Sequence, residues 1–138
     1  GATYRSRSIS FVAVEEYTAT LSATAPAGFP ALDAPSPMVA GLLRRYDGGN
    51  AATFPFVDVG NRVFFVGATG TVSPQVLQGL SMAAVADDLS TPGTPQADVV
   101  LGEADAITAA ICAMTGDTPA AVCTSTGVQA AGARIGVR

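Results

Sequence analysis

The stretch that most constrains the fold is residues 53–68, where two runs of β-branched and aromatic side chains flank a Gly60-Asn61 pair. Such side chains suit a pleated, half-buried surface, and a Gly-Asn pair tolerates the left-handed backbone of a tight reversal. The stretch therefore reads as a β-hairpin. Four of the six phenylalanines, Phe54, Phe56, Phe64 and Phe65, fall within it. The hairpin is thus expected to supply most of the aromatic area of a core. Pro55 stands at its entrance. Proline has no N–H to give to a ladder, so it belongs at a first strand residue, an edge or a bulge. Taken alone it reads as a trans proline, with a cis X-Pro bond as the special alternative.

Upstream of the hairpin, Ile9-Ser-Phe-Val-Ala-Val14 is dense in β-branched residues and reads as a buried strand, with Glu15-Glu16 at its solvent end. Neighbouring strand residues point to opposite faces, so these two carboxylates do not converge as a general acid and base. From Tyr17 to Pro35 the chain is rich in Ala, Ser, Thr and Pro and reads as a strand end followed by a loop.

A hydroxyl residue followed by proline then recurs, and four of these pairs read as helix starts, Ser36-Pro37, Ser73-Pro74, Thr94-Pro95 and Thr118-Pro119. The hydroxyl caps a helix and proline fits the first helical position, where its missing N–H is of no consequence. The pairs predict a helix over 38–46 with Arg44-Arg45 at its C-terminal end, and helical turns over 74–79 that resume at Ser81 and run to Leu89. They also predict a long helix over 95–115 stopped by Gly116, and a short turn over 118–123. In the long helix Val100, Ala104, Ile107, Ile111 and Met114 recur at helical spacing as a core stripe. Residues 124–138 show no periodicity and are expected to form an extended or flexible tail. The order of elements predicts an α/β fold, or an α+β one, with a small mixed sheet covered by helices.

At 138 residues the chain suits one domain. Charged residues make up only 13%, the net charge is -4, and every basic residue is Arg. That balance lacks the basic footprint of a nucleic-acid partner, so nucleic acid is excluded. The absence of histidine removes Ser-His-Asp and Cys-His catalysis and imidazole metal sites within these residues, and no metal or cofactor is expected. No run reaches ~18 consecutive apolar residues, so no membrane span is predicted. A chain opening on Gly1 in place of Met reads as a processed or partial sequence.

The two cysteines, Cys112 and Cys123, are spaced unlike a Cys-x-x-Cys. Two readings compete, a structural disulfide in an oxidising compartment and two inert buried thiols, and the disulfide is favoured. Gly67-Ala-Thr-Gly70 ahead of Ser73-Pro74 has neither the full glycine pattern nor the lysine of a phosphate loop, and reads as a turn leaving a strand. Asp58, two residues before the Gly-Asn pair, is expected to accept backbone hydrogen bonds at the loop end. Asp87-Asp88 near a helix C-terminus have no physical account. No convergent polar site recommends a small-molecule binding module.

Several segments taken together resemble a known family. These are Gly1-Ala-Thr-Tyr4 with Ser6, Phe11 and Glu15-Glu16, then Phe54-Pro-Phe-Val-Asp-Val-Gly-Asn-Arg62, and Gly67-Ala68 with Ser73-Pro-x-Val-Leu-x-Gly79. The last is Thr108-Ala-Ala-Ile-Cys112 ahead of Pro119-Ala-x-Val-Cys123. The chain resembles, over residues 1–123, the actinobacterial and archaeal thioredoxin-like proteins known as domain of unknown function 929.

The resemblance implies a thioredoxin-like domain over 1–123 and a membrane-anchored, extracytoplasmic protein of the thiol–disulfide oxidoreductase type. It also implies that Pro55 is a cis-proline, with Thr53 and Phe54 offering backbone to an extended peptide or protein thiol substrate. The family's first strand and its helix with Cys-x-x-Cys would precede Gly1. Cys112 and Cys123 match the family's C-terminal pair, so this chain alone is not expected to catalyse disulfide exchange, and it is expected to need its N-terminal part or a partner to complete the sheet. The alternative is a non-catalytic docking subunit of a bacterial membrane protein complex. The lysine-free, Ala-rich composition fits a GC-rich bacterial source under either reading.

Overall fold

The computed structural model describes residues 6–26, 28–46, 55–66 and 73–137. The chain divides into two compact units, residues 1–51 and 52–138. Among the described residues the fold is mixed, with five helices and one two-stranded antiparallel sheet, an α+β arrangement.

In the first unit, the segment from Ile9 to Val14 is not a strand, contrary to the expectation from its composition. Phe11 is 61% exposed and Val12 77%. A β-branched run becomes a strand only where a neighbour meets its N–H and C=O groups. The pairing here lies a few residues later. Thr18 donates its N–H to Pro30 O at 2.9 Å, while Leu32 N donates to Glu16 O at 2.8 Å and Asp33 N to Glu15 O at 3.0 Å. These bonds flank a single bridge between Tyr17 and Ala31. The excursion between them turns back where Ser22 N donates to Gly28 O.

Helix α1, Pro37–Tyr46, follows with Pro37 at its first position. The Ser36 hydroxyl accepts from Val39 N at 3.3 Å and caps it. Arg44 and Arg45 occupy the last turn, where the helix dipole favours cations, and the Arg45 guanidinium lies over the Tyr46 ring. No residue of α1 is buried.

In the second unit, β1 (Phe56–Val59) pairs antiparallel with β2 (Val63–Val66), in the register Phe56 to Val66 through Val59 to Val63. Gly60 (φ 62°) and Asn61 (φ 57°) take the left-handed backbone that the pair allows, and Arg62 N donates to Val59 O to close the turn. The Asp58 carboxylate accepts from Asn61 N at 2.8 Å, in the loop-end role its position predicts.

A 3-10 turn over Pro74–Leu77 leads into α2, Met82–Leu89, which is capped by the Ser81 hydroxyl. Helix α3 spans Pro95–Thr115, the range its flanking residues predict. The Thr94 hydroxyl accepts from Ala97 N at 3.2 Å, and Gly116 ends the helix at φ 62°. The short α4, Ala120–Cys123, departs from the pattern of the other three hydroxyl-proline pairs. Pro119 stands outside the helix as its N-cap, with an extended ψ of 137°.

Residues 124–138 are not a tail. Thr126–Ile135 form α5, ended by Gly136 at φ 73°. Its buried residues Val128, Ala131 and Gly132, together with the half-buried Ile135, recur at helical spacing and form one face against α3. Half of that face is Ala and Gly, which is why the sequence reads as aperiodic.

Among the described residues the core is also not aromatic. It consists of Ala106, Ala109, Cys112, Cys123, Val128 and Ala131, with Phe65, Ile135 and Val137 packed against it, and the strands themselves are only half-buried. On α3 the deep positions are Ala106, Ala109, Ala110 and Cys112, while Ala104 and Met114 of the predicted stripe are exposed. Small side chains let α3 be approached closely from several sides, by α5, α2, the 3-10 turn and β1. At Gly127 a side-chain carbon would meet the Asp105 carboxylate, which would have to move aside to admit it. Arg134 Nη2 adds a bond to Gly102 O at 3.0 Å.

Candidate functional site

Pro55 is exposed and immediately precedes β1, at the mouth of the hairpin. Thr53 and Phe54, the other two residues of the implied peptide-facing loop, lie outside the described residues, and so does the bond between Phe54 and Pro55. Gly67-Ala-Thr-Gly70 lie outside them as well. Among the described residues the cis X-Pro bond is Thr118-Pro119. What the hairpin positions within the described residues is thus Pro55 at one end and the Gly60-Asn61 turn at the other. Gly60 rests against the Met114 side chain, near the C-terminal end of α3.

Cys112 and Cys123 form a disulfide with Cα atoms 5.7 Å apart. Both are almost fully buried, at 2% and 1% exposure, and the bridge joins the end of α3 to α4. A sulfur shielded from solvent is not open to attack by an incoming thiolate, so the bridge is structural. Its closed loop is short, and the chain-entropy model places its contribution at about 3 kcal/mol. Either sulfur and an Asp117 carboxylate oxygen lie within 4.8 Å of one another. With the two sulfurs bonded together neither is a thiolate, so the group does not fit a metal.

Glu15 is exposed and Glu16 half-buried, on a segment outside any strand. Asp87 and Asp88 stay unexplained as carboxylates. Their backbone carbonyls accept from the Thr91 and Thr94 hydroxyls, which close the end of α2.

The sequence gives no hint of a cleft of about 390 Å³ in the second unit, formed by β2, the end of its turn, α3 and the C-terminal end of α5. Arg62, Glu103 and Arg134 line it beside Phe65, Ile135 and Val137. These residues come from three separated segments, and no local spacing announces them. Among the described residues no helix is long and apolar enough to cross a membrane. Comparison with family models, curated proteins and solved structures finds no match for the chain.

Proposed function

We propose that the chain is part of a thioredoxin-like, extracytoplasmic protein of the thiol–disulfide oxidoreductase type. In this reading Thr53, Phe54 and Pro55 present backbone to an extended peptide or protein thiol substrate. The redox Cys-x-x-Cys belongs to a segment preceding Gly1, because the two cysteines within residues 1–138 serve as a buried structural bridge. The observation that carries the reading is an exposed proline at the entrance of an antiparallel hairpin whose first strand packs on a long helix. A structural disulfide also suits an oxidising compartment. Exchange would proceed by attack of the upstream thiolate on a substrate disulfide. The resulting mixed disulfide is then resolved by the second thiolate.

The full-length protein is expected to reduce insulin in the presence of dithiothreitol, and Pro55→Ala is expected to slow that reduction. Absence of turnover by the intact protein would count against an oxidoreductase.

One observation favours the second reading, a non-catalytic docking subunit of a bacterial membrane protein complex. Phe11 and Val12 are exposed on a segment outside any strand, the kind of apolar edge that partner chains cover. A full-length sequence with no upstream Cys-x-x-Cys would leave this reading alone.

A further inference from the structure

The cleft between β2, α3 and α5 has chemistry of its own. Residues 52–138 contain seven acidic residues and only three arginines, yet two of those arginines, Arg62 and Arg134, line this one cleft. Neither forms an ion pair among the described residues. Arg134 uses one of its five donors on Gly102 O, and Arg62 has no side-chain partner there. Glu103 is the cleft's acid and is likewise unpaired among the described residues. Two cations and one anion leave a single net positive charge in an otherwise acidic region. The remaining wall is apolar, from Phe65, Ile135 and Val137, all half-buried and packed against the core. A volume of about 390 Å³ falls within the ~300–1,000 Å³ typical of small-ligand sites.

We propose that this cleft binds a small amphipathic monocarboxylate. The carboxylate lies between the Arg62 and Arg134 guanidiniums, whose planar donors suit it. The apolar tail rests on Phe65, Ile135 and Val137. Glu103 sets the charge of the ligand, because it repels a second anionic group.

The test is a titration of the isotope-labelled protein, followed by amide chemical shifts, with octanoate, neutral octanamide and the dianion octanedioate as probes. Octanoate is expected to shift the Phe65 and Val137 amides saturably, and octanamide and octanedioate to bind at least about five-fold more weakly, as expected for partly exposed charge pairs. Arg62→Gln, at an exposed turn position, is expected to weaken octanoate about five-fold, and Glu103→Gln to tighten it about three-fold. Arg134→Gln is expected to act like Arg62→Gln. Should its bond to Gly102 prove necessary for folding, the Arg62 and Glu103 variants still decide. Equal binding of octanoate and octanamide would overturn the proposal. So would indifference to Arg62→Gln, weakening by Glu103→Gln, or no saturable shift up to about 20 mM octanoate. These outcomes are independent of insulin reduction.

Discussion

The two units of the chain have similarly apolar sequences but different interiors. No described residue of the first unit is buried, although Ile9–Val14 is among the most β-branched stretches in the protein. Among the described residues the eight buried hydrophobic ones all lie in the second unit, and six of them are alanine or valine on α3 and α5. Apolar content is therefore not what separates the units. In the second unit the elements partner one another: α3 meets α5, β1 meets β2, and a disulfide holds α4 to the end of α3. In the first unit the local pairing uses residues 15–18 and 30–33, which leaves the β-branched run outside any ladder.

The largest expected effect comes from removing the covalent tie. Replacing Cys112 and Cys123 together by alanine is expected to lower the stability of the second unit by about 3 kcal/mol, read as a denaturation midpoint. Signals from α1 should not change. Next, Ala109→Leu places a large side chain at a position with 0% exposure and is expected to cost about 1–3 kcal/mol. Ala13→Leu, at an exposed position, should stay within about 0.5 kcal/mol.

A smaller contrast uses two helical glycines. A side-chain carbon at Gly41 in α1 meets nothing within 4 Å, so Gly41→Ala is expected to stabilise by about 0.5–1 kcal/mol through helix propensity. At Gly127 the same carbon meets the Asp105 carboxylate. Gly127→Ala is therefore expected to bring no gain, and a loss of up to about 1 kcal/mol where Asp105 cannot move aside. Equal gains at both glycines would show that Asp105 moves aside without cost.

Much of the second unit was legible because its signals are local. The Gly60-Asn61 pair between apolar runs marks the hairpin, and Thr94, Pro95 and Gly116 mark both ends of α3. Two cysteines a short distance apart mark the bridge. What escaped depends on tertiary partners. Helix α5 was missed because its packing face includes Ala131 and Gly132, which carry little hydropathy, although Arg134 and Gly136 are C-terminal signals in plain view. The strand expected over residues 9–14 failed because β preference is a preference for a sheet, and composition does not say whether a neighbour is there. An aromatic core was expected from a count of phenylalanines. The helices instead come close enough that alanine fills the deep positions, and Phe65 covers the outside. The cleft residues Arg62, Glu103 and Arg134 come together only through the fold.

The most direct test of this contrast is native-state amide hydrogen exchange on the whole chain. The predicted result is strong protection across Ala106–Cys112 of α3 and on Ala131 and Gly132 of α5, with residues 9–14 exchanging close to the unprotected rate. Protection of residues 9–14 comparable to that of Ala109 would contradict the account, because it would mean that this segment is held in a ladder and that the first unit has an interior of its own.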